Sequence, residues 1–340
     1  MTIIIVPSSG VNSIQDAVNI AQPGDEIQVQ NGIYNESVTI NSSNISIIAI
    51  GSNVVLDGVI MTGTGFSIQA DNVEIRGFRI ERYSSGIEIL GNENTVTLNT
   101  IINNQNIGIS LFLGNKTNIA NNTISSNRFH GIFFGTSNDN IVTDNIITNN
   151  GNNGIFGGFD SSNNTISHNA IKNNGNTGIS IDASTFNTMI TNNIIRNNEN
   201  NGITFAGNLG TITDNTIRNN ENNGILLFSS ITITNNIIRN NQGSGVVISR
   251  NSSTIKINKI NYNLEDGIFI DFFSDKNVIT KNEIINNLQA GIDIDGKNNN
   301  IIENTVKNNV VFDIVDAGMD NNFVDNDYDT SQPPTICSSC

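Results

Sequence analysis

A spacing constrains this chain more than any other feature. Glycines that open a short apolar pattern recur at Gly65, Gly86, Gly108, Gly131, Gly154, Gly178, Gly202, Gly224, Gly245, Gly267 and Gly291, at intervals of 21, 22, 23, 23, 24, 24, 22, 21, 22 and 24 residues. A unit this short cannot bury an apolar face alone, so it must stack on its neighbours as a solenoid. No helical 3.6-residue pattern occurs inside a unit, and short β-branched runs broken by Gly and Asn favour strands and turns.

Each unit carries three near-invariant apolar positions. One follows the Gly (Ile109, Ile132, Ile203, Ile225), a second lies seven residues before the next Gly (Ile101, Ile124, Ile195, Ile217), and a third lies twelve before it (Val96, Ile119, Ile190, Ile212). Three inward columns predict three short strands per coil and three parallel sheets around an aliphatic core. Nearly one residue in five is Asn, concentrated in columns nine and four residues before each Gly (Asn193, Asn215, Asn236; Asn198, Asn220, Asn241). Asn tolerates left-handed backbone, and its amide can bond to the Asn above and below, so both columns are expected as ladders at the turns.

These residues resemble the right-handed parallel β-helix of the pectin-lyase-like superfamily, over roughly residues 3 to 325. The resemblance implies an all-β solenoid of about 12 coils of 21–24 residues, some 55–60 Å long at the strand spacing. The segment at 13–40 is similar to the N-terminal segment of that superfamily. Ser13 with Asp16 reads as a helix cap, and Ile14, Ala17, Val18 and Ala21 form one apolar stripe, as a plug for the open end requires. The expected organisation is a cap at 1–40, continuous with a β-helix at 41–325, and a flexible tail at 326–340.

The net charge is −15, which argues against nucleic acid or an anionic membrane as the main partner. No 18-residue apolar segment and no basic leader occur, so the reading is a soluble chain without an export signal, of unassigned compartment, with a bacterial spore or cell surface as one setting.

The resembled superfamily holds lyases, hydrolases, epimerases, tailspikes and non-catalytic surface proteins, so function must come from a site. Four sets of residues are candidates. Asp271, Asp293 and Asp295 face outward at the C-terminal coils, where close carboxylates either bind a hard cation such as Ca²⁺ or raise one another's pKa for acid–base work on a sugar. Phe133, Phe156 and Phe159 form an aromatic cluster suited to stacking on a sugar, whereas Phe134 and Phe205 point inward. Lys172, Arg196, Arg218 and Arg239 share one outward column, with Glu199 and Glu221 three residues beyond two of the arginines; this suits an acidic polysaccharide or a salt-bridged, solvated face. Cys337 and Cys340 on the tail are candidates for crosslinks in self-association.

Short loops build no deep cleft, and no complete catalytic motif of the resembled enzymes is present. The leading expectation is therefore a non-catalytic, rigid surface or assembly protein that binds glycans and carries a C-terminal Cys tether. The alternative is a polysaccharide lyase, hydrolase or epimerase acting through Asp271, Asp293 and Asp295. A copper-maturation role fits poorly, because Met and His number only 4 and 2.

Overall fold

The computed structural model describes residues 2–59, 62–334 and 336. Cys337 and Cys340 lie outside the described residues. The chain divides into two compact units, Met1–Asn174 and Gly175–Cys340, and each is a stack of parallel coils.

Among the described residues of the first unit there is one helix, α1 (Ile14–Ile20), between the strands Ile3–Val6 and Glu26–Tyr34. The expected capping box is present: Asp16 N donates to Ser13 Oγ at 3.0 Å, and Ser13 N donates to Asp16 Oδ2 at 3.2 Å. Glu36 adds a carboxylate at the same end, accepting from Ile14 N and Gln15 N at 2.9 Å each, where the helix presents unpaired N–H groups. Ile14, Ala17, Val18 and Ala21 are all buried.

The coils repeat one plan, a first strand, a second strand and a third strand that follows the repeat Gly. In the first unit Ile119 lies against Val142, Ile101 against Ile124 and Ile109 against Ile132. In the second unit the same columns align Ile212 with Ile233, Ile195 with Ile217 and Ile203 with Ile225. Every one of these side chains is fully buried. Each column contributes one β-branched side chain per strand, so the core is a continuous aliphatic filling with period-two alternation against the outer face.

Two expectations are corrected. Among the described residues there are two parallel sheets, not three. In the first unit the long strands Glu26–Tyr34 and Ser46–Asp57 run unbroken from the first face to the second, and Ser46–Asp57 pairs with both Glu74–Arg76 and Arg79–Glu81. That continuity makes one sheet of two faces. The turns also number about 15 rather than 12, because the outermost coils lack the repeat Gly. Pairing also continues past residue 325: Asp327–Tyr328 lies beside Thr305–Lys307, and Ser331–Gln332 beside Ile314–Asp316.

Both Asn ladders are present. Asn220 N and Nδ2 donate to Asn241 Oδ1 at 3.1 and 2.9 Å, and Asn241 repeats the pattern onto Asn263. The other ladder runs through Asn215, Asn236, Asn258, Asn282 and Asn304 in the same geometry. The left-handed residue is not the ladder Asn but the one before it: Asn219 and Asn240 have φ of 55°. The corner is bent by one residue and tied by the next. A further ladder, Asn277–Asn299–Asn321, joins the turns before the first strands.

The repeat Gly is required by space rather than by backbone angle. A Cβ at Gly224 would come within 2.5 Å of the Gly245 carbonyl oxygen, closer than packed atoms approach. Adjacent coils touch there through bare backbone.

Candidate functional site

Three surfaces collect the chemistry-bearing residues, one in the first unit and two in the second. In the first unit the rings of His130, Phe133 and Phe156 lie nearly parallel. Phe133 and Phe156 are 5.9 Å apart at 12°, and His130 and Phe156 are 5.2 Å apart at 8°. The strand register brings them together, because Phe133 is directly opposite Phe156. Phe159 leans on Phe133 at 6.0 Å and Phe129 on His130 at 4.1 Å, both exposed. Phe134 and Phe205 are in the core, as expected.

His130 completes this cluster and is only 6% exposed. Burial pulls its pKa down to about 4, against a smaller upward pull from the Asn153 backbone, so the ring is neutral near pH 7. The stacked rings mostly face one another, and what they offer outward is the rim of Phe129 and Phe159.

In the second unit the carboxylates gather differently from expectation. The strand register places Asp293 opposite Phe269. Burial raises the Asp293 pKa first, and the neighbouring Asp295 raises it further. A further carboxylate, Asp266, is coupled to Asp293. Burial first and then the charges of Asp293 and Glu265 push Asp266 up to about 6, although a hydrogen bond from Ala290 N at 2.8 Å opposes the shift. Among the described residues no three His, Cys, Asp or Glu side chains converge to hold a metal ion. Asp271 and Asp295 follow the successive third strands Ile268–Ile270 and Ile292–Ile294 at equivalent positions, their backbone N–H groups donating to the Ile248 and Ile270 carbonyls at 3.0 and 2.9 Å.

Beside this row lies a cleft of about 250 Å³, built by the turns that follow three successive third strands. Phe272, Phe273 and Met319 form apolar walls, and Asp295, Asp275 and Lys297 supply polar groups. The two rings meet edge to face at 5.1 Å and 88°, and are 64% and 77% exposed. Lys297 Nζ is 4.0 Å from Asp275 Oδ2, and Lys297 N donates to Asp275 Oδ1 at 3.1 Å. Asn321 Nδ2 clamps the far wall, donating to Asp316 Oδ1 at 2.7 Å and to the Gly296 carbonyl at 3.0 Å.

Also in the second unit, Arg196, Arg218 and Arg239 stand in direct register on successive second strands. Among the described residues none of the three guanidinium groups has an ion-pair partner. The expected pairing with Glu199 and Glu221 does not form. The left-handed corners at Asn197 and Asn219 turn the chain before those glutamates, which are exposed beyond the ladder.

His130 and Asp266 stand in the stretches at 128–135 and 264–271, which the sequence separates by six coils and so does not join in one site. Both occupy the position just before the repeat Gly, where other coils place Asn153, Thr177, Asn201, Asn223 and Ser244. A buried polar column with one acid and one imidazole in it was the available signal.

The model of the right-handed β-helix region matches residues 4–156, 85–230 and 201–331. The chain belongs to the right-handed β-helix family. No curated protein matches the sequence. Among solved structures, this β-helix is similar to the A-module of the mannuronan C-5 epimerase AlgE4 of Azotobacter vinelandii, with a TM-score of 0.64, 14% identity, and 95% and 94% of the two chains covered. It is also similar to the catalytic unit of a thermostable GH87 α-1,3-glucanase from Streptomyces thermodiastaticus, at TM-score 0.66, 14% identity, and 96% and 67% coverage. The pectate lyase Pel9A follows at TM-score 0.53, 17% identity, and 82% and 76% coverage. At such identities the likeness is one of fold.

Proposed function

We propose that this β-helix is a polysaccharide-binding protein whose sugar site is the cleft of Phe272, Phe273, Asp295 and Lys297. The observation that carries the reading is the pair of exposed rings at right angles beside a carboxylate and an ammonium group. Aromatic faces take the apolar C–H side of a sugar, and convergent polar groups take its hydroxyls. Exposed rings in water are otherwise a cost, and soluble surfaces rarely keep two adjacent ones without a ligand to cover them. The neighbours named above include enzymes acting on polysaccharides, which supports the reading at the level of fold.

The test is a glycan array followed by titration calorimetry on the strongest ligand. Replacing Phe272 and Phe273 together by Ala removes exposed rings, leaves the core intact, and is expected to abolish binding to neutral glycans. Unchanged binding by that variant, or a wild-type chain that retains no glycan, refutes the proposal.

One observation favours a second reading, an enzyme acting on the bound glycan. Burial first, and then the charges of Asp293 and Glu265, hold Asp266 up to about 6, so this carboxyl keeps its proton into mildly acidic pH, where it can serve as an acid. Release of reducing ends or unsaturated sugars that disappears in Asp266→Asn would establish this second reading.

A further inference from the structure

The second unit carries an apolar ridge that the cleft does not use. It stands on the turns that lead from successive third strands to the next first strands, at 182–188, 206–210, 228–231 and 249–253. Phe186, Leu209 and Phe228 rise from the first three of these turns and are 48%, 73% and 43% exposed. The turns beneath them are tied to one another. Asn208 N donates to the Thr185 carbonyl and Asn187 N to the Asn208 carbonyl, at 2.8 Å each, and Ser230 Oγ donates to the Ser252 carbonyl at 2.7 Å. A fixed backbone thus holds large apolar side chains in water on neighbouring coils, which marks a surface made to be covered.

The charges of these turns are as sparse as their apolar groups are dense. Across all four, the ionisable side chains are Asp182 in the first turn and Arg250 in the fourth. Both residues are exposed, and among the described residues neither has an ion-pair partner. The next turn, 271–277, returns to the charged composition of the rest of the surface with Asp271, Asp275 and Lys276.

We propose that this ridge is the interface of a homodimer in which the ridges of two copies lie side by side and antiparallel. A two-fold axis passing between Leu209 and Phe228 sets the first turn of each copy against the fourth turn of the other. Asp182 of each copy then faces Arg250 of the other, and Leu209 faces Phe228. One patch meets itself with apolar groups at the centre and opposite charges at both ends, as an isologous contact requires. In a parallel arrangement Asp182 would meet Asp182 and Arg250 would meet Arg250, and the like charges would repel. The four turns span about 14 Å along the stack at the strand spacing. The interface is therefore a small one, of the kind that exchanges with monomer in the micromolar range.

Sedimentation velocity of the full chain across the micromolar range, under reducing conditions so that Cys337 and Cys340 add no crosslink, reads the state of association. The parent is expected to pass from monomer to dimer and stop there, since an isologous contact closes on itself. Leu209→Ser combined with Phe228→Ser is expected to stay monomeric. Asp182→Arg and Arg250→Asp are each expected to weaken self-association at least about tenfold. Mixed in equal amounts, those two variants should dimerise as the parent does, because one copy then presents two cations and the other two anions at the facing positions. All four side chains are exposed, so each variant is expected to melt with the parent. Phe272→Ala combined with Phe273→Ala is expected to leave the dimer unchanged, which separates failure of this proposal from failure of the cleft reading. A parent that remains monomeric or grows into longer assemblies overturns the proposal, as does a serine variant that still dimerises or a charge-swapped mixture that does not recover. Flotation of the monomeric parent with neutral phosphatidylcholine vesicles, lost in the serine variant, would assign the ridge to a lipid surface and overturn it too.

Discussion

Replacing Asn241 by Ala tests how much of this β-helix is held by its ladders. Asn241 is fully buried, and its Oδ1 accepts from Asn220 N at 3.1 Å and from Asn220 Nδ2 at 2.9 Å. Its own Nδ2 donates to Asn263 Oδ1 at 3.0 Å. Alanine removes both acceptor contacts, leaving a buried backbone N–H and a buried amide N–H of Asn220 without the partner they use. Each orphaned buried donor costs about 1–3 kcal/mol, so the loss is about 4 kcal/mol, before any small cavity is counted. Urea unfolding followed by circular dichroism reads this as a lower midpoint. Because solenoid coils contact mainly their neighbours, hydrogen exchange is expected to speed up most at the Asn220 amide and in the coils on either side. Glu221→Ala, at an exposed neighbouring position, should change stability by less than about 0.5 kcal/mol. A loss below about 1 kcal/mol for Asn241→Ala, or an Asn220 amide as protected as before, refutes the reasoning, since it would mean the ladder amides add little beyond the strand ladders.

Two pH predictions carry opposite signs. Asp266 binds its proton more tightly folded (about 6) than unfolded (about 3.8), so its ionisation costs stability as pH rises from about 4 to about 6, on the order of 1 kcal/mol after discounting for partial exposure; Asp266→Asn should flatten melting temperature against pH in that window, and an unchanged slope counts against a buried acid. His130 has its folded pKa pulled down to about 4 from 6.5, so stability is lost as pH falls from about 6.5 towards 4; His130→Phe should retain more of its melting temperature at pH 4.5 than the parent does, and an equal acid loss in both would show that the imidazole is not buried neutral.

Much of the fold was legible because it is said many times over. Ile195, Ile217 and Ile238 announce one core position in successive coils, and a position so repeated is hard to misread. What was missed is what the chain says once or off the period. The strands Glu26–Tyr34 and Ser46–Asp57 precede the first repeat Gly, and their unbroken passage round a corner fuses two faces into one sheet. The left-handed residue fell one place before its expected position because in these corners the doublets Asn197–Asn198 and Asn219–Asn220 offer two candidates, and only geometry separates the bend from the tie. The candidate sites fared less evenly. Phe133, Phe156 and Phe159 did come together, since outward residues of one column must neighbour each other across parallel strands. Asp271 and Asp295 do stand at equivalent positions one coil apart, whereas the decisive influence on Asp266 is burial, which a lone departure in a polar column does not reveal. The cleft escaped notice because Phe272 and Phe273 lie in a turn outside the strand pattern.

The ladder through Asn220, Asn241, Asn263, Asn287 and Asn309 ends on a carboxylate. Asp313 Oδ1 accepts from Asn309 N at 3.1 Å and Nδ2 at 3.0 Å, and its Oδ2 accepts from Asp329 N and Thr330 N at 2.9 and 3.1 Å. Every amide in the row points its N–H toward the C-terminal side, so the aligned dipoles add as they do along a helix. The row accumulates partial positive charge at that end, and the negative charge of Asp313 discharges it. A coil can therefore be duplicated or deleted anywhere upstream, because each Asn hands on the polarity it receives. At Asp313 this row of side-chain amides ends, while the other ladder reaches on to Asn326 and the strands to Ser331–Gln332.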